Sequence, residues 1–141
     1  MAEKSIFWTT GSTGDGAAAY SMDDIITWLR DVNNGDLAAS HGVVRYGGRL
    51  RVTAAPPNVT VATGRAYVYG IPYHNTAQVS VSIPTPSVAT RIDRIVLRAS
   101  WAAQTVRITR LGGAEGSPTP PGLTQSAGVT WDLPLAKVSI T

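Results

Sequence analysis

The spacing of apolar residues changes once along the chain, near residue 42. Before that point Met22, Ile25, Ile26 and Leu29, followed by Val32, recur at helical spacing. Ser21 stands as N-cap with Asp24 in the place of a capping-box acid, Asp23 and Asp24 favour the positive end of a helix, and Asn33-Asn34-Gly35 supplies a stop. The spacing predicts one helix over 22–33. From residue 42 onward the period becomes two, in short runs separated by turn residues. It predicts strands over 43–46, 50–54, 59–62, 66–69, 78–83, 92–100, 105–111 and 135–140. The expected fold class is mainly β: an antiparallel β-sandwich or jelly-roll-like domain with one short N-terminal helix. Residues 1–40 read as an N-terminal arm and helix, an attachment segment, and residues 41–141 as the β-sandwich domain.

Two predicted connections are tight turns, one at Gly47-Gly48 and one at Ala62-Thr63-Gly64. Tyr73-His74-Asn75 reads as a further turn. The clearest hairpin joins 92–100 to 105–111 around Ala102-Ala103, and its register sets Arg98 opposite Arg107. Ile95, Leu97, Ala99, Val106 and Ile108 then share the core face. Two like charges facing each other need an acid or water between them. Asp93 alternates to the other face, so no acid is assigned to that pair from sequence. Asp93 itself is expected to pair with Arg91, Arg94 or an arginine of a neighbouring subunit.

Composition narrows the chemistry. The chain has 141 residues, enough for one domain, and only 15% are charged. Soluble domains average about 25%, so part of the surface is expected to be covered by partners. The absence of cysteine excludes disulfides, thiol catalysis and cysteine-ligated zinc. With only His41 and His74, no histidine cluster can hold a metal. The Gly11 to Gly16 loop lacks the Lys-Ser or Lys-Thr of a phosphate-binding loop, and Asp31 to Asp36 lacks the distal Glu of a calcium loop. No catalytic, cofactor or metal residue is assigned, and the expectation is a non-enzyme. The formal charge is +3, but ten of the twelve cations are arginines spread along the chain, which argues against nucleic acid as a partner. No apolar run is long enough for a membrane span or a signal core, so synthesis and retention in a cytoplasm are expected.

The aromatic residues are the candidate contact points. Phe7 and Trp8 precede a glycine-rich hinge, and Trp28 lies off the apolar stripe of the predicted helix. Tyr67, Tyr69 and Tyr73 are read as cross-strand or subunit contacts, with a sugar-stacking patch as the other reading. The expected subunit or partner interface is Phe7, Trp8, Trp28, Tyr67, Tyr69, Tyr73, Asp93 and Arg94.

Several stretches together resemble a domain of tail-fibre and baseplate proteins of tailed bacteriophages and prophages. They are Phe7 with Gly14-Asp15-Gly16, Tyr20-Ser-Met-Asp-Asp24, Gly42-Val43-Val44, Val61-Ala-Thr-Gly64, Ala66-Tyr-Val-Tyr-Gly70 and Tyr73-His-Asn75. Further along come Arg91-Ile-Asp-Arg-Ile-Val-Leu-Arg98, Thr105-Val-Arg-Ile-Thr109, Leu123-Thr-Gln125 and Trp131-Asp-Leu-Pro-Leu-Ala136. The run from Arg91 is the most specific of these. The resemblance implies a structural protein of the virion tail tip, baseplate or tail fibre that is often homotrimeric. Its partners would be itself and other virion proteins, with a host surface glycan as a further ligand. The alternatives carried beside it are a capsid decoration or head-fibre protein and, in another class, a carbohydrate-binding module built on Tyr67, Tyr69 and Tyr73.

Overall fold

A computed structural model describes residues 42–44 and 47–141. The predicted helix, Phe7, Trp8 and Trp28 lie outside the described residues. Ten strands follow in order: β1 (Gly42–Val44), β2 (Val52–Ala55), β3 (Asn58–Val61), β4 (Gly64–Val68), β5 (Ile71–Asn75), β6 (Val79–Ser82), β7 (Arg91–Ser100), β8 (Thr105–Leu111), β9 (Gln125–Ser126) and β10 (Thr130–Ile140). They form three antiparallel sheets, ordered β1-β4-β5, β2-β3-β6 and β8-β7-β10-β9. The fold is a mainly-β sandwich, as the period-two pattern predicts.

One core joins the three sheets. The four-stranded sheet contributes Ile95, Leu97, Ala99, Val106 and Leu133, the β2-β3-β6 sheet Val59 and Val61, and the β1-β4-β5 sheet Ala66 and Val68. The β7–β8 register is the one predicted, with Arg98 opposite Arg107 and Leu97 opposite Ile108.

Four local expectations are corrected. Gly47-Gly48 does not close a hairpin between β1 and β2, because those strands belong to different sheets. Residues 47–50 instead fold back on the corner before β4, with the Leu50 amide donating to the Thr63 carbonyl at 3.2 Å and the Ala62 amide to the Arg51 carbonyl at 3.0 Å. Ala62-Thr63-Gly64 likewise carries the chain from the β3 sheet to the β4 sheet instead of pairing those strands. Tyr73-His74-Asn75 is not a turn but the end of β5, whose edge position tolerates Pro72. The turn lies earlier, at Tyr69-Gly70, where φ values of 51° and 80° give the left-handed pair that a two-residue hairpin requires. Finally, β10 starts at Thr130, five residues before the predicted strand. Its register shifts between Pro134 and Ala136, so core-facing residues are odd before the bulge (Trp131, Leu133) and even after it (Ala136, Val138, Ile140). That change of phase removes the simple alternation a sequence reading looks for.

The corner sets a strict requirement at Gly64. A β-carbon there would stand 2.6 Å from the Leu50 backbone nitrogen and 3.0 Å from Leu50 Cγ. Gly64→Ala should therefore push the 47–50 turn off the core and cost about 1–3 kcal/mol, read as a shift in the urea-unfolding midpoint. A midpoint equal to that of the parent chain would mean that the corner relaxes freely.

Candidate functional site: ionic clamps, an aromatic corner and an open groove

Asp93 lies on β7 on the same face as Ile95 and Leu97, and its side chain is fully buried. A carboxylate there is tolerated only if its oxygens are satisfied. Arg91 Nε donates to Oδ1 at 2.9 Å, Arg110 Nη1 to Oδ2 at 2.5 Å and the Gly113 amide to Oδ1 at 2.9 Å. Burial alone would raise the Asp93 carboxyl, but the Gly113 amide and the two guanidinium groups outweigh it and hold the carboxyl below the usual carboxylate range. Arg91 also donates to the Pro84 carbonyl and stands 3.9 Å from Glu115, whose carboxylate accepts from the Ser87 and Val88 amides. Asp93 thus ties the 112–116 loop to β7 directly, while Arg91 and Glu115 beside it hold the 84–88 loop. Gly113 must be glycine for this to happen, since a β-carbon there would fall 2.1 Å from the Ile92 carbonyl oxygen.

A second clamp holds the opposite face of the same sheet. Asp132, also fully buried, accepts from Arg98 Nε at 2.7 Å and Nη2 at 2.9 Å, and from the Thr124 amide at 2.9 Å. The two residues are register partners on β10 and β7, so the acid that offsets the Arg98–Arg107 repulsion comes from the neighbouring strand. Arg94, on that face, donates to the Pro121 carbonyl at 2.6 Å and does not pair with Asp93. Together Arg94 and Asp132 strap the proline-rich loop across the sheet.

The depressed Asp93 carboxyl gives stability a pH dependence with a definite sign. A folded-state value below the unfolded one, about 3.9 for Asp, stabilises the fold above that value and loses the contribution as pH falls through the folded value. Thermal midpoints should therefore drop between neutral pH and about pH 3, with a shallower drop in Asp93→Asn. Identical slopes would show that Asp93 binds its proton equally well folded and unfolded.

The three tyrosines part company. Tyr73 is opposite Ala66 on the core side of the β4–β5 ladder, whereas Tyr67 is opposite Pro72 on the other side. Burial pushes the Tyr73 phenol up, against a smaller downward pull from Arg107. Tyr69, at the hairpin turn, packs against Trp131 at 4.8 Å between ring centroids and edge-on against Trp101 at 5.7 Å. These rings fasten the β4–β5 turn to the end of the four-stranded sheet, and the three tyrosines present no common stacking platform.

An open groove of about 780 Å³ lies where the 47–50 turn meets the β10 bulge. Its lining includes Val43, Leu50, Val52 and Leu135, with Arg49 and Arg51 exposed on it. Among the described residues no group of three or more histidine, aspartate or glutamate side chains could hold a metal ion. Asp93's place on the core face was readable from the alternation, and so was the need for a partner. Its partners were less so, because Arg110 and Gly113 reach it only once β8 and the loop after it are folded back.

No known family model matches the chain, and neither a curated protein nor a solved structure shows significant similarity to it.

Proposed function

We propose that the protein is a non-enzymatic assembly module of a bacteriophage particle, located at the tail tip, baseplate or tail fibre. In this reading the sandwich is the rigid body and residues 1–40 are the attachment segment. The observation that carries it concerns the run from Arg91 to Arg98, on which the resemblance to phage tail proteins chiefly rests. Arg91, Asp93, Arg94 and Arg98 each make internal hydrogen bonds, which tie β7 to the 84–88 loop, the 112–116 loop, the proline-rich loop and, through Asp132, strand β10. A motif whose charged groups are all engaged in internal hydrogen bonds suits a part that bears load in an assembly. An active site would leave at least one such group facing a substrate. The distribution of the tyrosines speaks against the sugar-binding alternative, since Tyr67 and Tyr73 lie on opposite sides of one ladder.

The reading expects a homotrimer. Light scattering on the intact chain should give a mass near three times 14.8 kDa, and deletion of residues 1–10, which removes Phe7 and Trp8, should leave a folded sandwich that trimerises or joins particles poorly. A parent chain that stays monomeric at high concentration would count against the trimer. A deletion that unfolds the sandwich would place the arm in its own core and end the attachment role.

A further inference from the structure

The groove beside β1 opens onto the core among the described residues. Val43 pairs with Ala66 and so faces the core side of its sheet, where Ala66 is 1% exposed. Val43 is nevertheless 41% exposed. An apolar residue on a core face that remains open to this degree marks a place where the sheet is meant to be covered. Leu50, Val52 and Leu135 continue the apolar lining, at a volume within the range of about 300–1,000 Å³ that proteins use to seat a compact ligand.

Charge indicates what covers it. The described residues contain three acids, and all are committed: Asp93 to Arg91 and Arg110, Asp132 to Arg98, and Glu115 to the Ser87 and Val88 amides. Arg49 and Arg51 on the groove have no acidic partner among the described residues. The 41 residues that precede β1 have the opposite balance, with six acids against two cations. Their strongest apolar pattern, Met22, Ile25, Ile26 and Leu29, sits directly among Asp23, Asp24 and Asp31.

We infer that the groove is the seat of the chain's own segment 21–33, with the apolar side chains of that segment against Val43, Val52 and Leu135 and its aspartates beside Arg49 and Arg51. Reach permits it. Eight residues, 34–41, join the segment to β1, and at 3.3–3.6 Å per residue they span up to roughly 26–29 Å. So short a tether holds the segment at about millimolar effective concentration, which favours the same chain over a second copy. The inference goes beyond the assembly reading and holds wherever the protein sits in a particle: it gives segment 21–33 to the chain's own sandwich and leaves residues 1–20, with Phe7 and Trp8, for attachment.

The lack of cysteine makes the test clean. A nitroxide on Thr27→Cys in the full-length, isotope-labelled chain should reduce the amide signals of Val43, Val52 and Ala136 at least fivefold more than those of Ala103 and Ala127 in the distant turns. A mixture of unmodified labelled chain with spin-labelled unlabelled chain should show no such loss. Uniform intensities in the first sample would overturn the inference, and so would a loss that appears only in the mixture, which would assign the seat to another copy. Combining Arg51→Glu with Arg49→Asn, an exchange suited to the left-handed backbone at residue 49, should at least halve the effect. An unchanged pattern in that variant would contradict the charge match on which the assignment rests.

Discussion

Asp93→Ala is expected to destabilise the sandwich by about 3–5 kcal/mol, the usual loss when one member of a buried ion pair is removed. The reason is local. The substitution leaves Arg91 and Arg110 without their carboxylate and the Gly113 amide without its acceptor, in a place where the lost partner was fully buried. For a chain of this size the thermal midpoint should fall on the order of 10–20 °C. Asp93→Asn keeps one carbonyl acceptor and should lose less, about 1–3 kcal/mol. Because the wild-type acid is itself protonated in strong acid, the gap between parent and Asn variant should narrow as pH falls. Calorimetry at neutral and acid pH reads both effects, and a variant as stable as the parent would show that water satisfies the arginines as well as Asp93 does.

Leu97→Ala should produce a loss of comparable size by a different route, about 2–5 kcal/mol. Leu97 is fully buried at the centre of β7, between Ile108 on β8 and Leu133 on β10. Neither neighbouring strand can close the gap without breaking its ladder. Unlike the Asp93 effect, this one should not change with pH, since no titrating group lies in the contact. Denaturant melts at two pH values separate the two mechanisms, and a loss below about 1 kcal/mol would mean that the core collapses around the missing methyl groups.

The β7–β8 hairpin was legible from sequence because its alternation is unbroken and its loop short enough to fix the register. Arg98 opposite Arg107 followed from that register alone. The strands that escaped were those where another influence overrode alternation. The β5 strand holds Pro72 and is only five residues long, so its composition resembles a turn. The β10 strand contains Pro134 and a bulge that moves the core-facing set from odd to even positions, which hid its first half. The error at Gly47-Gly48 was one of topology: glycine pairs announce a change of direction but not which strand the chain joins next.

The ionic clamps were half legible. An acid on a core face must have partners, and the alternation put Asp93 there. Asp132, by contrast, lay in the hidden half of β10, so the acid between Arg98 and Arg107 had no visible candidate. Sequence separations of 34 residues for Arg98–Asp132 and 17 for Asp93–Arg110 show why. Such pairs are created by sheet order, which period and composition do not encode.

The central claim, that this sandwich is a rigid building part of a phage tail, is tested most directly by electron microscopy of intact particles carrying the protein. The account predicts density for the sandwich in the tail tip, baseplate or fibre, with three copies related by the local threefold axis. Density on the capsid surface, or particles complete without the protein, would contradict it.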